Sequence, residues 1–255
     1  MIDAPVAAPA RSQTLGRLLA STVLDVLLVG AVVVGFTFAL GLAIATAGQQ
    51  GVALGPPEPL LRGLPAVFIP LSLWGTALAG TLLFMLRHKQ MPLVSPAWRW
   101  TTVLLVFAIA GVMQAGAVAL SVTAGMFGSD ITGSNVALVL AAYAEAPLLT
   151  LFAAVVVAPL GEELIFRRVL LHRFAQTGRA SLGLIITSVG FALIHEPVPG
   201  AAGVVAWLLT LATYSLLGVG FGLIYLRTGR FDAAVLGHVL VNALGMTLLL
   251  LGTNR

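Results

Sequence analysis

The chain has 255 residues, 59% of them hydrophobic and only 9% charged, with a mean hydropathy of +1.06. Soluble domains carry about 25% charged residues, so this composition excludes an ordinary soluble domain and indicates an integral membrane protein. The net charge is +4 and the pI about 10.3, while the absence of cysteine excludes disulfides, thiolate metal sites and a cysteine nucleophile.

Residues 1–16 read as a polar N-terminal tail and 17–255 as a single integral membrane domain. No small-residue cleavage site follows a short apolar core, so the first hydrophobic run reads as a retained span and not a signal peptide. Crossing a bilayer takes about 20 apolar residues. Runs of this kind lie near 22–47, with Asp25 close to the start, and then at 63–86 and 101–127. The Gly/Pro-rich 47–63 between the first two reads as an external loop. A fourth run, 134–160, contains Glu145 and Pro147 and ends at a charged cluster. A short fifth run covers 180–195, and two more cover 201–226 and 233–252. Backbone groups in lipid need internal hydrogen-bond partners, so these runs are helices. The segment 161–176 is either an amphipathic helix at the inner face or a continuation of span four past Pro159. The expected fold is all-α, a polytopic transmembrane helical bundle of seven to eight helices.

Lys and Arg alternate between the loops of this map. Arg11 and Arg17 precede span one, and Arg87, Lys89 and Arg99 follow span two. Arg167, Arg168, Arg173 and Arg179 separate spans four and five, and Arg227 and Arg230 separate six and seven. Only Arg62 and Arg255 fall on the other side, with Glu58, Asp130 and Glu196. The basic residues therefore read as topology signals with the N-terminus cytoplasmic, and a nucleic-acid partner is excluded. Arginine greatly outnumbers lysine, and Ala, Gly and Val abound, which points to a GC-rich genome and a bacterial plasma membrane.

Three polar patterns interrupt the apolar sequence. Glu162, Glu163, Arg167 and Arg168 crowd into seven positions, although a charge at the bilayer centre costs roughly 2.5–3.5 kcal/mol. Glu163 and Arg167 are one turn apart with the acid first, the favoured order for an ion pair, and this leaves Glu162 to face a cavity. A loop whose charges snorkel to the interface is the plainer reading of the same residues. Phe191 and His195 are also one turn apart, at the end of a short span where a lone histidine commonly caps or anchors. His238 and Asn242 repeat that spacing in the last span, where paired polar groups often only glue helices together. Taken together, a carboxylate, two imidazoles and a carboxamide on three helices suit amide hydrolysis. Glu or His can take a proton from water, and His and Asn can donate to a tetrahedral oxyanion.

These residues resemble the CAAX prenyl endopeptidase and bacteriocin-processing family of intramembrane proteases, also called CPBP or Abi proteins. The EExxxR motif appears at Glu162, Glu163 and Arg167, FxxxH at Phe191 and His195, and HxxxN at His238 and Asn242. The resemblance covers about 135–250, where a catalytic core is expected. It implies that Glu162 and His195 activate water, that His238 and Asn242 hold the oxyanion, and that Glu163, Arg167 and Phe191 support the site. Arg168 stands where many relatives carry glycine.

The expected activity is thus an intramembrane endopeptidase cutting a peptide or membrane-protein substrate near the cytoplasmic face. A glutamate-type mechanism without a cofactor is favoured. Zinc is the alternative, with Glu162, His195 and His238 as a His₂Glu set, although no HExxH motif is present. A small transporter or channel using the same intramembrane Glu and His, or a non-catalytic membrane scaffold, are the competing functions. Glu145, mid-span, reads equally as a cavity-lining or a structural acid. Asp25 reads as interfacial, and His88 and His172 as solvated. Trp74, Trp98 and Trp100 suit positions near the membrane interface. Seven straight spans leave His195 nearer the outer face and Glu162 nearer the inner, so a tilted or re-entrant segment is needed to join them. Neither substrate identity nor oligomeric state follows from the sequence.

Overall fold

The computed structural model describes residues 13–55, 64–87, 96–126, 133, 136–199 and 203–253. Most of the polar tail, part of the 47–63 loop, and Arg11, Glu58, Arg62, His88, Lys89, Asp130 and Arg255 lie outside the described residues. The described residues form eight helices: α1 Leu15–Gln49, α2 Phe68–Arg87, α3 Trp100–Met126, α4 Val136–Glu145, α5 Pro147–Gln176, α6 Ala180–His195, α7 Gly203–Thr228 and α8 Phe231–Thr253. Six of them are long and apolar enough to cross a membrane, while α4 and α6 are shorter. The chain is a polytopic all-α membrane protein.

The run 134–160 does not form one span. The backbone breaks at Ala146 (φ −140°, ψ 68°), and Pro147 opens a new helix, a place where its missing N–H is lost to nothing. From there α5 runs for 30 residues, about 45 Å. The segment 161–176 is therefore its second half, neither a loop nor a separate amphipathic helix. Pro159 sits inside α5 because the turn before it, Ala153–Val157, is widened to i→i+5 bonding. That widening makes room for a ring that would otherwise press on the preceding turn. A second wide stretch covers Leu164–Leu171.

Arg167, Arg168 and Arg173 are buried in this helix, so they are not loop residues that report topology. Arg173 and Arg87 both pair with Asp25, the latter at 2.5 Å, and Arg173 also donates to Ser21 Oγ at 2.9 Å. Asp25 is fully buried, and it ties the first turns of α1 to the last turns of α2 and α5. His172 is likewise buried rather than solvated. Its Nδ1 lies 2.7 Å from the Tyr225 hydroxyl, beside Arg168. At the same end of the bundle Arg230 pairs with Asp232, donates to the Pro96 carbonyl and lies over the Trp98 ring. Trp74 and Trp100 are exposed.

Close helix crossings are made by glycine. A Cβ at Gly161 would lie 2.6 Å from the Ala77 nitrogen, and one at Gly80 would lie 2.6 Å from the Gly161 carbonyl oxygen. Backbone-to-backbone approach of this kind, typical of small residues in membrane helices, presses α2 onto the turn of α5 that bears Glu162. The core between α5, α6, α7 and α8 is filled by Phe166, Val169, Phe191, Phe221, Ile224 and Tyr225.

Candidate active site

Glu162 and Glu163 lie on the short α-helical stretch Ala158–Glu163, with a wide turn on either side. Their side chains part as their spacing predicts. Glu163 is fully buried, and its Oε1 lies 3.0 Å from Arg167 Nη1 and 2.9 Å from His238 Nδ1. The Arg167 guanidinium also donates to the Gly218 carbonyl at 2.9 Å, and Phe191 and Phe221 lie within 5.3 Å of its carbon. This buried cation is thus held by an acid, a carbonyl and aromatic faces.

Glu162 points the other way, into a cavity of about 580 Å³. His195, His238, Asn242, Phe191 and Tyr214 line that cavity too, together with apolar residues of α1, α2 and α4. Glu145 is exposed and is not among the lining residues. The Glu162 Oε2 atom lies 3.7 Å from His238 Nε2 and 4.0 Å from His195 Nε2. Both gaps exceed a direct hydrogen bond and match the reach of a shared water.

The partners of the two Nδ1 atoms assign the tautomers. His195 Nδ1 lies 2.8 Å from the Phe191 carbonyl oxygen, which only accepts, so the ring proton sits there. His238 Nδ1 faces the Glu163 carboxylate, with the same result. In neutral imidazoles both Nε2 atoms then turn lone pairs toward Glu162. Three acceptors converge on one point, an arrangement suited to drawing protons from a donor placed between them.

Asn242 donates through Nδ2 to the Ala154 carbonyl at 3.0 Å. Ala154 belongs to the first wide turn of α5. The second amide hydrogen of Asn242 is spared for a ligand, since a carboxamide carries two donors. His195 reaches the depth of Glu162 without any re-entrant segment. α5 and α6 are consecutive, and Glu162 and His195 are each about 20 Å of helix from the turn that joins them. The expected mismatch of depth came from ending span four at residue 160.

Sequence reasoning did not find Tyr214 and Phe221. Tyr214 stacks on His195 with centroids 4.4 Å apart and planes at 24°, and Phe221 stacks on His238 at 4.2 Å and 17°. Both belong to α7, which has no charged or imidazole residue near them to mark its role. Among the described residues, no group of three or more His, Cys, Asp or Glu is disposed to hold a metal ion.

Residues 144–244 match the family model described as Rce1-like, type II CAAX prenyl endopeptidase Rce1-like. The match runs from the end of α4 into α8 and contains Glu162, Glu163, Arg167, Phe191, His195, His238 and Asn242. This region, about two fifths of the chain, is thus similar to the Rce1-like type II CAAX prenyl endopeptidases. No curated protein and no solved structure matches the chain.

Proposed function

We propose that the chain is an intramembrane endopeptidase in which Glu162 and His195 activate a water against a peptide carbonyl. The observation that carries this reading is the convergence of Glu162 Oε2 with His195 Nε2 and His238 Nε2, at 4.0 and 3.7 Å, on one cavity wall. A water between them donates one hydrogen to Glu162 and the other to His195, which aims its lone pair at the carbonyl carbon. As the carbon–oxygen bond forms, Glu162 takes the proton and later passes it to the leaving amine. The oxyanion is met by the free amide hydrogen of Asn242. His238 is the second donor in its doubly protonated form, which carries a hydrogen on Nε2 as well as on Nδ1.

Water activation without metal is the preferred reading. In a tetrahedral zinc site with bonds of 2.0–2.1 Å the donors stand about 3.3 Å apart, closer than the separations from Glu162 to either imidazole. Should zinc act, Glu162, His195 and His238 are its donors.

His238 is only about 10 Å along α8 from its first residue, at the bundle end that carries the exposed Arg17, Arg99 and Arg227. The positive-inside bias supports a reading in which that end, the N-terminus and the cut face the cytoplasm of a bacterial cell. The test is cleavage of internally quenched peptides, with and without a prenylated cysteine, by purified protein in proteoliposomes. Cleavage lost in both Glu162→Gln and His195→Ala supports the reading. Turnover near wild type in either variant overturns it.

A further inference from the structure

His195 is the last residue of α6, and at Glu196 (φ −135°, ψ 75°) the backbone has already left the helix. No following turn packs on its side chain, yet its Nε2 must meet Glu162. The contact of Nδ1 with the Phe191 carbonyl, at 2.8 Å, fixes one ring atom and leaves the imidazole plane free to rock about it. Two aromatic rings remove that freedom. Phe191, one turn back on α6, has its centroid 4.5 Å away with planes at 42°. Tyr214, from α7, lies 4.4 Å away with planes at 24°. The centroids of Phe191 and Tyr214 are 6.5 Å apart, so the three separations make nearly a right angle at His195. Tyr214 therefore covers the imidazole face, and Phe191 closes its flank.

The two rings are not equivalent. Phe191 is buried among Phe166, Phe221 and Arg167 and cannot be changed without disturbing the Glu163–Arg167 pair. Tyr214 is only partly buried, lines the cavity beside Glu162 and His195, and lies outside the three motifs. The covered face is the one that sets where Nε2 points, since tilting the imidazole would drive it into the tyrosine ring.

We propose that Tyr214 is a positioning residue that holds the His195 imidazole face so that Nε2 is aimed at Glu162. The proposal rests on the reading of His195 as half of the water-activating pair. Stacking is the property required, so phenylalanine serves in its place and an aliphatic side chain of similar bulk does not.

The experiment uses the full chain in lipid nanodiscs with isotope-labelled histidine. The chain has four histidines, and His195→Gln assigns the resonance of interest. Ring current from Tyr214 shifts the His195 ring protons upfield in the wild type. Tyr214→Leu should abolish that shift, and Tyr214→Phe should restore it. On a prenylated-cysteine peptide, Tyr214→Leu should lower kcat by roughly 10- to 100-fold, the scale set by misplacing a reacting group. KM and Tm should stay at their wild-type values, and Tyr214→Phe should recover most of the lost rate. An unchanged His195 resonance in Tyr214→Leu overturns the proposal, as does failure of phenylalanine to rescue, or a fall in Tm that accounts for the lost rate. If the wild type leaves the peptide uncut, the endopeptidase reading fails on that substrate, while the His195 resonances in the Tyr214 variants still decide the positioning role.

Discussion

Glu163 and His238, seventy-five positions apart, meet at 2.9 Å, and the same carboxylate oxygen holds Arg167 at 3.0 Å. One buried acid thus neutralises a buried cation and fixes the tautomer of an imidazole in the site. The two adjacent glutamates differ in what their removal does.

Glu163→Gln leaves Arg167 buried without its carboxylate. Breaking one side of a buried pair costs about 3–5 kcal/mol, so the variant should show a much lower Tm in detergent and poor recovery from the membrane. Thermal unfolding followed by tryptophan fluorescence measures it, and a Tm equal to wild type would contradict the role assigned to the pair.

Glu162→Gln should behave oppositely. Its Oε2 makes no hydrogen bond among the described residues, so Tm should hold while cleavage falls by roughly 10²–10⁴, the range for losing a general base. Parallel melting and turnover measurements separate the two glutamates.

Asn242→Ala should lower kcat by about 10²–10³, as for loss of one oxyanion donor, with little change in KM. The same variant leaves the Ala154 carbonyl without its partner at 3.0 Å, so a loss of Tm of a degree or more should accompany it. A kcat near wild type would remove Asn242 from the oxyanion site.

Gly161→Ala places a methyl group 2.6–2.7 Å from the backbone of Thr76 and Ala77. The helices must separate, at a cost of about 1–3 kcal/mol for overpacking, and Glu162 moves with them. Reduced Tm together with reduced kcat is expected. Gly111→Ala, with open space around it, is the control.

Asp25→Asn should loosen α1 from α2 and α5 by leaving Arg173 and Arg87 without their shared acid. The loss should be about 3 kcal/mol or more, since Asp25 is fully buried. Limited proteolysis should then release α1 first, and equal protease resistance in variant and wild type would count against the tie.

Much of the architecture was legible because hydropathy registers burial in lipid. The predicted spans 101–127, 201–226 and 233–252 differ from α3, α7 and α8 by two residues or fewer at either end. Span four was misread because Pro147 lies in a run that is apolar apart from Glu145, where a proline that opens a helix looks the same as one tolerated inside it. Charge misled for a related reason. Arg167, Arg168 and Arg173 look like a loop in a one-dimensional window, since partners such as Asp25, Phe84, Gly218 and Tyr225 sit on α1, α2 and α7. The motif residues were visible because glutamate, histidine and asparagine are rare in this chain. Tyr214 was not, because a tyrosine in an apolar helix has many plainer uses and its partner lies nineteen positions upstream on another helix.

The two wide turns of α5 carry a consequence for how that helix behaves as a mechanical part. Each i→i+5 turn absorbs an extra residue and so resets the angular phase of everything beyond it. α5 is therefore better pictured as successive rods on one shaft, each clocked independently. The rods at either end can keep the facing that their lipid and core neighbours demand. The short middle rod, Ala158–Glu163, is released from that demand and can turn its adjacent acids two ways, Glu162 to the cavity and Glu163 to Arg167 and His238.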